Sequence, residues 1–262
     1  MRLRQAMGVT TGAAIGLATL LAGCQATGGR DVVYQTSTID ALLSGVYDGP
    51  LTCGQLKEHG DIGLGTFEAL DGEMVVVDAT VYRIDSAGRV QAVPDAVRTP
   101  FAVVTPFEAD QSCELIGPMD YTPLAAELDR RLPSANLIYA VRITGRFDRV
   151  LTRSVPRQKR PYPPLTEVVK GQPTFELRGV TGTMVGFRFP AYAGSLNVPG
   201  WHLHFVDAGR QLGGHVLELT AREVRVELDV CDGLRVSLPR SDGFLHADLA
   251  PRSADEMHQV EK

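Results

Sequence analysis

The sequence predicts an α+β protein that is predominantly β, with two β-rich halves, mixed or antiparallel sheets and a few short helices. Three observations carry this. Apolar runs of roughly four to eight residues recur between Gly, Asp and Pro clusters, as strands do. The stretches with helical spacing are short. A Pro-rich connector, Arg160-Pro161-Tyr162-Pro163-Pro164, separates two such sets of strands. Residues 36–164 are therefore expected to form an N-terminal domain and 165–262 a C-terminal one.

The chain opens with a segment that does not belong to either half. Arg2 and Arg4 precede a short apolar run, Ala13 to Leu21, which ends Leu21-Ala22-Gly23-Cys24. A positive start followed by a short apolar stretch is an export signal rather than a membrane span. The last four residues resemble the bacterial lipobox, which implies cleavage before Cys24 and lipidation of that cysteine. Residues 1–24 are then a signal peptide and 25–35 a small, polar tether. The expected location is the bacterial cell envelope, with membrane contact only through the lipid. Ordinary secretion is the alternative. With 44% hydrophobic and 22% charged residues the rest is globular, and a net charge of −5 argues against nucleic acid as a partner.

From Thr36 the first element reads as a helix to Asp48, capped by Ser37 or Thr38, with Ile39, Leu42, Leu43 and Val46 on one face. Thr52-Cys53-Gly54-Gln55 has capping-box form, so a second short helix is expected over Cys53 to His59. Asp71-Gly72 is a hairpin signal between Gly63-Leu64-Gly65-Thr66-Phe67 and Met74-Val75-Val76-Val77. The glycines before it are not followed by Gly-Lys-Ser/Thr, which excludes a phosphate loop. Further strands are expected over Thr80 to Asp85, Arg89 to Val93 and Phe101 to Thr105.

Thr122-Pro123 predicts a helix start, with the helix running over Leu124 to Leu132. Leu137 to Phe147 and Arg149 to Val155 read as two paired strands. They carry Arg142, Arg146, Arg149 and Arg153. Such a run is ordinarily a solvated face, with the alternative that one guanidinium turns inward to grip a carboxylate. After a short helix near Leu165 to Lys170, strands are expected at Phe175 to Leu177, Gly182 to Phe189, Gly200 to Val206, His215 to Leu219, Glu223 to Val230 and Leu234 to Leu238. The cysteines after Cys24 are Cys53, Cys113 and Cys231. An oxidising compartment would allow one bridge, with Cys53–Cys113 the first candidate.

Three of the six histidines fall within Gly200-Trp201-His202-Leu203-His204-Phe205 and Gly213-Gly214-His215. Alternation on a strand puts His202 and His204 on one face. A Gly-rich return then brings His215 beside them. Three neutral imidazoles converging from a hairpin suit Zn²⁺ and leave a coordination position open. The competing reading is a polar face on an exposed strand.

These pieces, in order, resemble the α-acetolactate decarboxylase family. The resemblance rests on Gly63-Leu-Gly-Thr-Phe-Glu-Ala-Leu-Asp-Gly-Glu73, Thr152-Arg153-Ser154-Val155-Pro156-Arg157-Gln158-Lys159-Arg160-Pro161-Tyr162, the two His segments and a Val-Glu261-Lys end. It implies His202, His204 and His215 as zinc ligands. It also implies Glu73, Arg153 and Glu261 as catalytic residues, and Thr66 with Arg153 in the substrate pocket. The implied reaction is decarboxylation of (S)-2-acetolactate to (R)-acetoin, with a Lewis-acid metal stabilising an enediolate, and the implied assembly is a homodimer. The rival expectations are a lipid-anchored zinc protein without turnover and a different small-acid metalloenzyme on the same scaffold.

Overall fold

A computed structural model describes residues 31–250 together with Glu256, Met257 and Val260. The expected signal peptide with Cys24, and also Glu261, lie outside the described residues.

The elements in order are β1 (Val32–Thr36), α1 (Ile39–Leu43), β2 (Leu51–Thr52), α2 (Cys53–Lys57), β3 (Ile62–Thr66), β4 (Glu73–Val77) and β5 (Thr80–Ile84). Then come β6 (Val90–Ala92), β7 (Arg98–Thr99), β8 (Ala102–Thr105), β9 (Gln111–Asp120), α3 (Tyr121–Asp129) and β10 (Ile138–Arg153). The chain continues with α4 (Leu165–Val168), β11 (Thr174–Phe189), β12 (Gly200–Asp207), β13 (Gly213–Cys231), β14 (Gly233–Ser237) and α5 (Asp242–Leu245). The predominantly β reading holds, with both mixed and antiparallel pairing.

Two sheets dominate. The first runs β14-β1-β8-β3-β4-β5-β6, with β1 parallel to β14 and the other pairs antiparallel. Both faces of β4 are buried, which is why its sequence is apolar at successive positions. Val75 and Val77 face the second sheet, while Met74 and Val76 pack toward Leu56 of α2. The second sheet joins β10, β11, β12 and β13 in a closed circuit, because β13 pairs with both β12 and β10. β9 lies along the far part of β13. Leu124 and Leu128 of α3 fill the inside of the curl with Ile143, Phe147, Leu203 and Phe205.

The sheets do not divide at Pro164. β10 precedes it and β11 follows it, yet the two are neighbours from Tyr139↔Arg188 to Arg153↔Thr174. β14, near the carboxyl end, closes the first sheet beside β1.

Several local expectations change. The helix expected over Thr36 to Asp48 is shorter, α1 over Ile39–Leu43, because Thr36 still belongs to strand β1; Thr38 caps α1 by accepting from the Ala41 amide. The end of the expected tether is thus a strand, held between β8 and β14. The helix at Cys53 has its capping box, Thr52 with Gln55, but ends at Lys57. α3 begins at Tyr121, two residues before Pro123, with Asp120 as its cap residue. Leu137 to Phe147 and Arg149 to Val155 do not pair with each other: they are one strand, β10, bent by register shifts near Phe147. β11 and β13 likewise join segments expected to be separate. A local Gly or Arg-Glu break in apolar pattern reads as a turn, whereas a bulge lets the strand continue. The three described cysteines are free thiols; Cys53 sits on α2 and Cys113 on β9, so no bridge joins them.

Candidate metal centre and acid-binding pocket

Strand register builds the site. His204 of β12 lies opposite His215 of β13, and His215 lies opposite Arg153 of β10. Directly opposite residues in an antiparallel pair share a face, so these three side chains form one row across the sheet. His202, two residues along β12, joins the same face. Val206 continues that face into the core between the sheets, while Leu203 and Phe205 point into the curl. On the opposing sheet Glu73 shares a face with Val75 and Val77, and it pairs with Thr66 across β3 and β4. The histidine face and the Glu73 face therefore confront each other.

The register at Arg153 needs two local devices. Leu151 pairs with Glu218 and Thr152 with Val216, so Leu217 is an extra residue that resets the facing of β13. Gly214 has φ +145°, and a Cβ there would meet the Arg153 carbonyl oxygen at 2.4 Å. Only glycine lets β13 approach β10 this closely beside His215.

The three imidazoles converge. His202 Nε2 is 3.1 Å from His204 Nε2 and 3.0 Å from His215 Nδ1, which is 3.3 Å from His204 Nε2. Tetrahedral ligands bound at 2.0–2.1 Å stand about 3.3 Å apart, so this triangle fits a metal ion. His204 Nδ1 lies 2.7 Å from the Met74 carbonyl oxygen. A proton donated there leaves the Nε2 lone pair facing its neighbours. Burial, reinforced by Arg153, lowers the His202 pKa to about 3. Burial, His202 and Arg153 hold His204 well below its ordinary value, against the opposing effect of the Met74 bond. His202 and His204 are thus neutral donors at ordinary pH, as metal binding requires. Among the described residues this trio is the group of His, Cys, Asp or Glu side chains placed to hold a metal.

Arg153 is the inward guanidinium of the basic run. Its Nη1 donates to Glu73 Oε1 at 2.8 Å and its Nη2 to the Val260 carbonyl oxygen at 2.7 Å. The grip is therefore shared between a carboxylate and a backbone carbonyl, rather than bidentate on one carboxylate. Arg142, Arg146 and Arg149 lie on the outer face and pair with Glu227, Glu223 and Glu176. Glu73 Oε2 is 3.8 Å from His204 Nε2. Thr66 lines the pocket, but its hydroxyl donates to the Gly72 carbonyl at 2.7 Å. Val260 is buried beside Arg153, whose Nη2 donates to its carbonyl oxygen.

Sequence reasoning missed the apolar half of the pocket. Ile39, Leu42, Leu70, Phe101, Val155 and Leu165 wall a cavity of about 30 Å³ over the trio. These positions read as ordinary core, and no local pattern marks them. A second cavity of about 480 Å³, lined by Trp201 and Tyr121, opens behind His202 and His215 where β12 leaves β13.

Neutral nitrogen donors facing one another beside a buried cation, under an apolar roof, define a metal-dependent enzyme for a small polar acid. Comparison with known proteins gives the particular kind. The family model described as alpha-acetolactate decarboxylase matches residues 33–251. The chain is 46% identical over 229 residues to the alpha-acetolactate decarboxylase of Methylococcus capsulatus, covering 87% of this chain and 88% of that one. Against the Brevibacillus brevis enzyme it is 44% identical, covering 88% and 81%. The crystal structure of the Bacillus subtilis enzyme superposes with a TM-score of 0.86 at 40% identity, covering 88% of this chain and 99% of that one. The chain belongs to the alpha-acetolactate decarboxylase family, carbon–carbon lyases that act on acetolactate.

Proposed function

We propose that the chain converts (S)-2-acetolactate to (R)-acetoin and CO₂ with Zn²⁺ held by His202, His204 and His215. The observation that carries this reading is the triangle of ring nitrogens 3.0–3.3 Å apart, facing the Arg153–Glu73 pair. When bound, the metal supplies a Lewis acid for negative charge that develops on the substrate's oxygens.

The chain's own residues do the rest. Arg153 orients the substrate carboxylate and offsets charge as the C–C bond breaks. Its Nη1 is aimed by Glu73 and its Nη2 by the Val260 carbonyl, so the guanidinium is fixed before substrate arrives. As CO₂ leaves, the bonding electron pair passes toward the neighbouring ketone, and a proton must then reach the carbon that carried the carboxylate. Glu73, and Glu261 next in sequence to Val260, are the proposed carriers of that proton. The apolar wall excludes water that would otherwise compete for the charge. Thr66 orients the pocket by fixing the loop carbonyl at Gly72.

The export reading rests on Leu21-Ala22-Gly23-Cys24. We place the mature chain on the outer side of a bacterial membrane, anchored at Cys24; loss of fatty-acid labelling and release from membranes in Cys24→Ala test this. The family resemblance supports a homodimer, which light scattering on the chain lacking residues 1–24 tests. The central experiment uses the same protein: metal content, and acetoin released from each acetolactate enantiomer. One zinc per chain and (R)-acetoin from the (S) substrate are expected. Full turnover after complete metal removal overturns the zinc reading.

A further inference from the structure

We propose that Leu70 is a specificity-determining residue, whose side chain sets the size limit on the alkyl group at the substrate's hydroxyl-bearing carbon. The starting point is a backbone outlier. Ala69 and Leu70 are consecutive non-glycine residues with φ of +61° and +56°, a conformation that L side chains rarely adopt. Both are buried.

The surrounding structure holds the pair in place from several sides. The Ala69 amide donates to the Tyr47 carbonyl at 2.8 Å, and its own carbonyl accepts from the Gln158 amide at 2.7 Å. Asp71, the next residue, forms an ion pair with Arg83 at 2.7 Å. Gly72 follows with φ +93°, its carbonyl accepting from the Thr66 hydroxyl. Strained conformations that persist under this much constraint concentrate at ligand clamps. Here the result of the strain is to turn Leu70 inward. It lies three residues before Glu73 and lines the cavity above the histidines.

Chemistry assigns what Leu70 meets. The polar groups of acetolactate (carboxylate, hydroxyl and ketone) are drawn to Arg153 and the metal trio. Its two methyl groups are left for the apolar wall. Leu70 closes over the trio together with Ile39, Leu42, Phe101, Val155 and Leu165, so one added methylene must press on that wall. A hydrophobic pocket discriminates against one methylene by roughly 10–200-fold.

The test compares acetolactate with its homologue carrying ethyl in place of methyl on the hydroxyl carbon, using the metal-loaded enzyme. Leu70→Ala is expected to move the ratio of the two kcat/KM values at least about tenfold toward the ethyl substrate. Leu70→Gly, which suits a positive φ, carries the same expectation if the alanine variant folds poorly. Rates that fall in step for both substrates, or loss of folding in Leu70→Gly, assign Leu70 to core packing and overturn the proposal. The inference rests on acetolactate being the substrate. Failure of the unaltered enzyme to release acetoin would count against that reading, whereas an active enzyme with an unmoved ratio counts against Leu70.

Discussion

Arg153 of β10 and Glu73 of β4 meet at 2.8 Å across the space between the two sheets, each about 95% buried. The pair joins the histidine-bearing sheet to its opposing sheet at the point where the metal trio lies. A buried ion pair is a poor source of net stability, because removing both ions from water offsets their attraction. Its value here is orientation: one guanidinium is divided between Glu73 and the Val260 carbonyl.

Arg153→Lys should therefore keep the metal and lose rate. An ammonium keeps the charge but lacks the planar fork that serves two acceptors at once. A drop in kcat of at least about 10²-fold is expected, as for loss of a positioned donor to developing charge. Metal content measured beside kcat separates this from a collapsed site. Wild-type kcat in the variant would remove Arg153 from the chemistry.

His204→Ala should lose both metal and activity. Two imidazoles do not complete the triangle, and the Met74 carbonyl loses its Nδ1 partner. Elemental analysis after dialysis against a weak chelator is the direct readout. Retention of one metal per chain would shift the site elsewhere.

Much of this site is visible in the sequence, and the reasons differ by residue. His202 and His204 can be placed on one face because a strand alternates every second residue, and Gly213-Gly214 announces the return to His215. Arg153 cannot be chosen from among the other strand arginines by spacing. Its inward turn depends on the extra residue Leu217 in a neighbouring strand sixty-odd positions away in sequence, which no local pattern reports. β9 was also illegible: it is an edge strand with Gly117 and Pro118 in its middle, and its alternate exposure mimics a loop. The closed circuit of β10 to β13 is a long-range pairing choice, while helix capping at Thr38 and Thr52 is local and reads directly.

Gly214→Ala should disable the site without touching a proposed ligand. The added Cβ would lie 2.4 Å from the Arg153 carbonyl and 2.9 Å from the Thr152 Cβ, at a φ of +145° that alanine resists. β13 must move away from β10, taking His215 out of the triangle. A loss of about 1–3 kcal/mol in unfolding free energy is expected, the scale of overpacking in a close-packed core. Weaker metal binding should accompany it. An unchanged Tm and metal affinity would show that the strands tolerate a wider gap.

A buried carboxyl group on β13, outside the histidine trio, makes stability depend on pH. Asp229 of β13 is fully buried, and its Oδ1 has no hydrogen-bond partner among the described residues. Burial is the main cause that raises its pKa to about 7, helped by Asp110, Asp31 and Glu108 and opposed by the Glu108 amide. The folded protein then holds a proton that the unfolded chain, with an ordinary value near 3.8, has already released. Between those two values the folded state binds more protons, so stability falls as pH rises. The slope from this group is at most about 1.4 kcal/mol per pH unit, and it levels off above pH 7. Asp229→Asn keeps the shape and removes the titration. Its Tm should exceed that of the unaltered protein at pH 8, and the difference should shrink steadily toward pH 4. A Tm difference independent of pH would mean that Asp229 stays charged in the folded protein, with its Oδ1 solvated or paired in solution.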